Sequence, residues 1–167
     1  EVIFAISMLR DEAVGGYPDV FLEAIQNVTT TLHEKPVKVG SVRQRCFYTP
    51  EYMAFLSSDN RDTRTKMSYE TFFDVGKNRT QQWINKFAGT WDQSTRIFDS
   101  NILIYRYADV LLLSAELNNE LGNTADAVEE LNKIAKRAYK VDNYYPKSLS
   151  KEEVNSKILD ERMKEFA

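Results

Sequence analysis

Arg106-Tyr107-Ala108-Asp109-Val110-Leu111-Leu112-Leu113-Ser114-Ala115-Glu116 is the stretch whose reading decides the fold. An arginine, two alanines and an acid are set into an apolar run. Ile104, Ala108, Leu111, Leu112, Ala115 and Asn119 recur at helical spacing, and Gly122 stands where a left-handed C′ residue ends a helix. The spacing predicts a buried helix from about residue 104 to 119. A second helix follows, capped by Asn123 or Thr124, with Val128, Leu131, Ala135 and Ala138 on one stripe. Small residues on both helices let the backbones approach closely, as in a tetratricopeptide-like pair. One pair does not make a solenoid, which needs more repeats.

Beyond this pair, Ser150 and Glu153 form a capping box, in which serine accepts the N3 amide and glutamate reaches back to the N-cap amide. Leu149 and Val154 occupy the hydrophobic-staple positions, and Val154, Ile158 and Phe166 give a third helix its inner face. The first hundred residues read differently. Residues 1–9 are apolar and partly β-favouring, so a strand is expected. Gly15-Gly16 and Pro18 make residues 10–20 a loop, and residues 21–32 read as a short helix. Pro36 and Gly40 sit in extended or irregular structure. Pro50 opens a short helix to Leu56. Residues 57–66 are a polar loop, and the aromatic-rich stretch 69–98 reads as short strands and loops. The whole is a mainly α protein with short strands and long loops.

The 167 residues suit one domain, able to bury roughly 70% of its unfolded surface. Hydrophobic residues make up 43% and charged residues 28%, ordinary for a globular protein. A net charge of −3 with no basic cluster argues against nucleic acid as a partner. Cys46 stands alone, so neither a disulfide framework nor a thiolate metal site is expected. No apolar run approaches the roughly 20 residues of a membrane-spanning helix, and no signal peptide is visible. The chain starts at Glu1 inside an expected strand and stops at Ala167 inside an expected helix, which reads as a fragment of a longer protein.

Several enzyme signatures are missing. His33 is the single histidine and has no second histidine four positions on, so there is no metalloprotease helix. No G-x-S-x-G elbow, P-loop or dinucleotide glycine pattern occurs. Asp59, Asp62, Asp92 and Asp99 lie in or near loops where a glycosidase carboxylate pair would have to form, yet turn-forming aspartates have a local reason to be there. Arg106, Glu116, Glu161 and Arg162 read as scaffold charges: Arg106 and Glu116 are almost three helical turns apart and would pair with other helices rather than with each other. No catalytic residue, metal ligand or cofactor site is assigned.

The aromatic residues are the better functional candidates. Of the 20, 14 fall in positions 1–100. Sugar rings stack their C–H faces on indole and phenol rings while their hydroxyls bond to amides and carboxylates. Trp83 lies among Gln81, Gln82 and Asn85, Trp91 is beside Asp92 and Gln93, and Tyr17 follows Gly15-Gly16. These three are the ligand-binding candidates, against the general tendency of large aromatics to be buried.

The order of motifs resembles the SusD/RagB family of outer-membrane nutrient-binding lipoproteins. RYADVLLLSAE is similar to its signature helix. Continued by Leu117-Asn118-Asn119-Glu120-Leu121-Gly122, then Ala127, Leu131-Asn132 and Arg137-Ala138, it resembles the family's helix–turn–helix. Ile158 to Ala167 is similar to its "I..ER..EFA" helix, Glu1 to Ile6 to its "E.IF.I" strand, and Thr49-Pro50-Glu51-Tyr52 with Asp59 to Arg64 to its "P…L…D.R" segment. The resemblance implies a carboxy-terminal portion of a SusD-like domain, with residues 1–100 as a loop-rich ligand side and 101–167 as a helical scaffold. It also implies a non-catalytic glycan or other nutrient binder on the surface of a Gram-negative bacterium, held by a lipid anchor outside this chain. Such a protein delivers its ligand to a SusC-type TonB-dependent transporter. The rival readings are a helical-repeat module, in which the 104–139 pair docks a protein, and a glycoside hydrolase.

Overall fold

The computed structural model describes residues 2–8, 30–32, 35–37, 47–74, 78–84, 90–92, 95–97 and 99–167. Five helices lie among them: α1 (Pro50–Leu56), α2 (Thr65–Ser68), α3 (Tyr107–Glu120), α4 (Thr124–Tyr139) and α5 (Lys151–Glu165). The strands are short: β1 (Val2–Ile6), β2 (Thr30–Leu32), β3 (Lys35–Val37), β4 (Tyr69–Asp74), β5 (Arg79–Ile84), β6 (Thr90–Asp92), β7 (Thr95–Ile97) and β8 (Ile102–Arg106). They form four two-stranded sheets, β1–β8, β2–β3, β4–β5 and β6–β7. The chain divides into two compact units, one of Glu1–Phe4, Phe55–Thr65 and Leu103–Ala167, the other of Ala5–Ala54 and Lys66–Ile102.

The first unit is helical. Its core is Leu111, Leu112 and Ala115 of α3, Ala127, Val128, Leu131, Ile134, Ala135 and Ala138 of α4, and Val154 and Ile158 of α5. Four alanines in this set explain the close approach of the helices, and Leu149 and Phe166 pack against its edge. The caps form as the sequence implies. Ser150 Oγ accepts the Glu153 amide at 3.2 Å, and Glu153 accepts the Ser150 amide at 2.7 Å. Gly122 takes φ +85°, the left-handed geometry that glycine adopts without strain.

Two boundaries differ from the sequence reading. The first long helix starts at Tyr107, so Ile104 belongs to β8. Its N-cap is Arg106, whose backbone N–H donates to Asp109 Oδ2 at 3.1 Å. That one-way cap stops the helix from running back, and the β-branched residues before it pair as a strand. Thr30–Leu32, expected at the end of a helix, is instead paired antiparallel with Lys35–Val37; a run of β-branched threonines favours that outcome. Asn123 is the N-cap of α4, without a side-chain hydrogen bond.

α3 is apolar on its outer side as well. Val110, Leu113, Leu117 and Leu121 follow one another at helical spacing and are exposed, while Leu112 and Ala115 behind them are fully buried. No helix among the described residues is long and apolar enough to cross a membrane.

Among its described residues the second unit carries three antiparallel strand pairs, β2–β3, β4–β5 and β6–β7. β4 and β5 pair from Tyr69↔Ile84 to Asp74↔Arg79, which sets Trp83 opposite Glu70. β6 and β7 pair from Thr90↔Ile97 to Asp92↔Thr95, which sets Trp91 opposite Arg96. The short strands expected over 69–98 are present among its described residues. So is the helix from Pro50, whose first turn is capped by Thr49 Oγ1 accepting the Tyr52 amide at 3.3 Å.

Candidate functional site

In the helical unit, the turn after α1 is tied to the long helices by a buried charge network. Thr63 donates its backbone N–H and its hydroxyl to the Ala138 carbonyl, both at 3.0 Å. That fixes Arg64, which holds Asp62 in a two-pronged pair at 2.9 and 2.8 Å and reaches Glu161 Oε2 at 2.7 Å. The same guanidinium contacts Glu165 Oε2 at 3.3 Å and the Tyr139 hydroxyl at 3.0 Å. Glu161, wholly buried, accepts the Tyr139 and Tyr145 hydroxyls at 2.7 Å each on its other oxygen. Glu165 also receives Arg106 at 3.2 Å and Arg137.

Burial alone would raise the Asp62 carboxyl, but the Arg64 hydrogen bonds outweigh it and hold the group below its ordinary range. Burial, then the Glu161 charge, pushes the Tyr139 and Tyr145 hydroxyls far up, so both are donors at any physiological pH. The network is therefore a set of satisfied pairs, and the scaffold charges pair as the sequence reading expects. Arg106 meets Glu165, Arg162 meets Glu116 at 2.9 Å, and Glu161 meets Arg64. Asp59 is held by Arg61 hydrogen bonds at 2.9 and 2.6 Å, which keep it well below the usual carboxylate range. A glycosidase acid needs a raised value. Asp59 and Asp62 are both shifted the other way and do not offer one.

Beside this network is a cavity of about 530 Å³. α4 ends at Lys140 in the left-handed conformation, and Asn143 also takes positive φ. The compact loop that results is pinned by Asn132, which accepts the Tyr145 amide at 2.8 Å and donates to its carbonyl at 2.9 Å. The loop presents Tyr144, stacked on Tyr139 with centroids 4.1 Å apart and edge-on to Tyr145. Arg61 lies over the Tyr144 ring, whose hydroxyl donates to Asp59 at 2.9 Å. Ser58, Lys157, Asp160 and Lys164 complete the polar lining. Nothing in the sequence reading singled out these tyrosines; the adjacent pair Tyr144-Tyr145 after a turn-forming asparagine was the available signal.

In the other unit, Tyr48 packs edge-on against Tyr52 and Tyr69 at 5.1 and 5.9 Å. Gln82 locks this cluster to β5: its Oε1 accepts the Tyr48 amide at 2.9 Å and its Nε2 donates to the Tyr48 carbonyl at 2.7 Å. Burial pushes the Tyr48 hydroxyl up to about 12. Of the three sequence candidates, Trp83 follows Gln82 on β5 and Trp91 is the middle residue of β6. Tyr17, like His33 and Cys46, lies outside the described residues. Among the described residues, no group of three or more potential metal ligands gathers.

The helical unit thus holds a helix pair with a third, capped helix, and the hairpins of the other unit hold aromatic and amide residues. Comparison with known proteins gives the family of the chain. The SusD family model matches residues 29–167. The chain belongs to the SusD family. Two SusD-like proteins of Formosa agariphila are 39% identical over 66 residues and 37% identical over 78 residues, covering 40% and 46% of this chain. Those matches span 13% and 15% of the relatives' own lengths. A SusD superfamily protein of Bacteroides fragilis has the same fold over 100% of the chain, with TM-score 0.75 and 23% identity. This chain spans 38% of that structure. A Bacteroides vulgatus structure assigned to sugar binding is 30% identical over 71% of the chain and 24% of its own, with TM-score 0.52.

Proposed function

We propose that this chain is part of a glycan-capture protein that works at the bacterial outer surface. Membership of the SusD family over residues 29–167 carries the reading, and the likeness to a structure assigned to sugar binding supports it. The complete protein would be lipid-anchored to the outer membrane of a Gram-negative bacterium, take up a glycan or another nutrient, and pass it to a SusC-type TonB-dependent transporter. No bond is cleaved and no cofactor is needed. Residues 1–100 form the ligand side and 101–167 the scaffold. Tyr17, Trp83 and Trp91 supply the stacking faces, with neighbouring amides and carboxylates orienting the hydroxyls.

A helical interaction module is the second reading, favoured by the exposed apolar stripe of α3. Calorimetry of the intact protein against a panel of glycans and peptides separates the two. Saturable heat with a glycan supports capture. Silence across the glycans, with retained binding of a partner protein, transfers the weight to the interaction module.

A further inference from the structure

We propose that the groove between α3 and α5 is filled, in the intact protein, by an amphipathic helix of the same polypeptide lying outside residues 1–167. The three long helices of the helical unit differ on their outer sides. α4 exposes Ala125, Asp126, Glu129, Lys133, Lys136 and Arg137, with no large apolar residue among them, as a helix that meets water should. α3 exposes Val110, Leu113 and Leu117, and Leu121 follows just past its end, although its inner face is already spent in the core. A helix that is apolar on both sides is one that is packed on both sides. α5 adds Leu159 and Met163, and these six side chains are between 46% and 76% exposed.

The two apolar ridges border one ion pair. Arg162 of α5 reaches Glu116 of α3 at 2.9 Å. Leu113 and Leu117 stand three residues before and one after Glu116, and Leu159 and Met163 stand three before and one after Arg162. The pair thus forms the floor of a groove with an apolar wall on each helix. Both charges are matched there, so covering them strands neither. From Val110 to Leu121 the wall runs about 16 Å at 1.5 Å per residue, three turns of a helix laid into the groove. The Bacteroides fragilis structure shares the fold over 100% of this chain, yet the chain spans 38% of it, so most of that protein has no counterpart in residues 1–167. A helix of the same polypeptide also packs without the loss of translational and rotational freedom that a separate partner or a second copy bears. This occupancy does not rest on glycan capture, and it leaves the outer face of α3 closed to a separate docking partner.

The test is peroxide oxidation of Met163 in the intact protein, read by mass spectrometry, with light scattering to fix the oligomeric state and melting curves of Leu117→Lys and Lys133→Ala. A covered Met163 should oxidise at least tenfold more slowly in the native monomer than in the urea-unfolded protein. Leu117→Lys, which drives a charge into the filled groove, should lower the melting temperature by roughly 5 °C or more. Lys133→Ala, on the outer face of α4, should change it by about 2 °C at most. Oxidation of Met163 within about threefold of the unfolded rate, or a Leu117→Lys variant as stable as its parent, overturns the filled groove. Protection found only in a dimer, and lost when Leu117→Lys separates it, assigns the face to a second copy and overturns the intramolecular helix. None of these readouts involves a glycan, so a failure of the capture reading leaves them unchanged.

Discussion

Arg64 and Glu161, 97 residues apart in sequence, meet as a buried ion pair at 2.7 Å, Arg64 at 8% and Glu161 at 0% exposure. The pair joins the turn after α1 to α5, with Asp62, Glu165 and the hydroxyls of Tyr139 and Tyr145 completing the coordination of both groups. Arg64→Met should therefore destabilise the chain by about 3–5 kcal/mol, because it strands buried carboxylates without a counter-charge. Glu161→Leu alone should be similarly costly, and the double substitution should cost less than the sum. Urea denaturation of the three variants measures this.

The two sides of α3 make opposite predictions from neighbouring leucines. Leu112 is fully buried and Leu113 is 52% exposed. Leu112→Ala should cost about 2–5 kcal/mol through the cavity it leaves. Leu113→Ala should stay within about 0.5 kcal/mol. Equal losses in thermal melts would show that the outer face is covered in solution.

Capping was readable in advance and is separately testable. Ser150→Ala should remove about 1 kcal/mol, since the Glu153 amide loses its acceptor. Ser150→Asp should retain most of it, because an aspartate accepts the same bond at the positive end of the helix.

The network also sets an acid limit. Asp62 is held below its ordinary carboxylate range in the folded chain. Its contribution is present above the unfolded value, roughly pH 4, and is lost as pH falls through the folded one. Melting temperature should change little from pH 7 to pH 5 and fall below pH 4. The fall should be shallower in Asp62→Asn. At the alkaline end the signs reverse. Tyr139 and Tyr145 are raised, so their contribution is complete below about pH 10 and lost above it. Tyrosinate absorbance should show these two still protonated after exposed tyrosines have ionised.

Local signals carried the helical part of the fold. The stripe of Val128, Leu131, Ala135 and Ala138, the Gly122 stop and the Ser150–Glu153 box each depend on residues within one or two turns of one another, and each is found in place. The start of α3 was misplaced because Ile104 fits a helical apolar period as well as a strand; what decides it is the Asp109 cap on Arg106. The cavity was out of reach for a different reason. Tyr144, Arg61 and Lys164 come together only because Thr63 is tied to the end of α4, a contact that no periodicity encodes. Asp59 and Asp62 read as ordinary loop acids until the arginine two positions after each is seen to close on it.

The central claim, glycan capture by aromatic stacking on the hairpins, is tested most directly by calorimetry of the intact protein and its Trp83→Ala and Trp91→Ala variants with the glycan that binds best. The account predicts saturable binding, weakened roughly tenfold, or about 1.4 kcal/mol, by either substitution, with an unchanged circular dichroism spectrum. Binding of the same strength in both variants would contradict it.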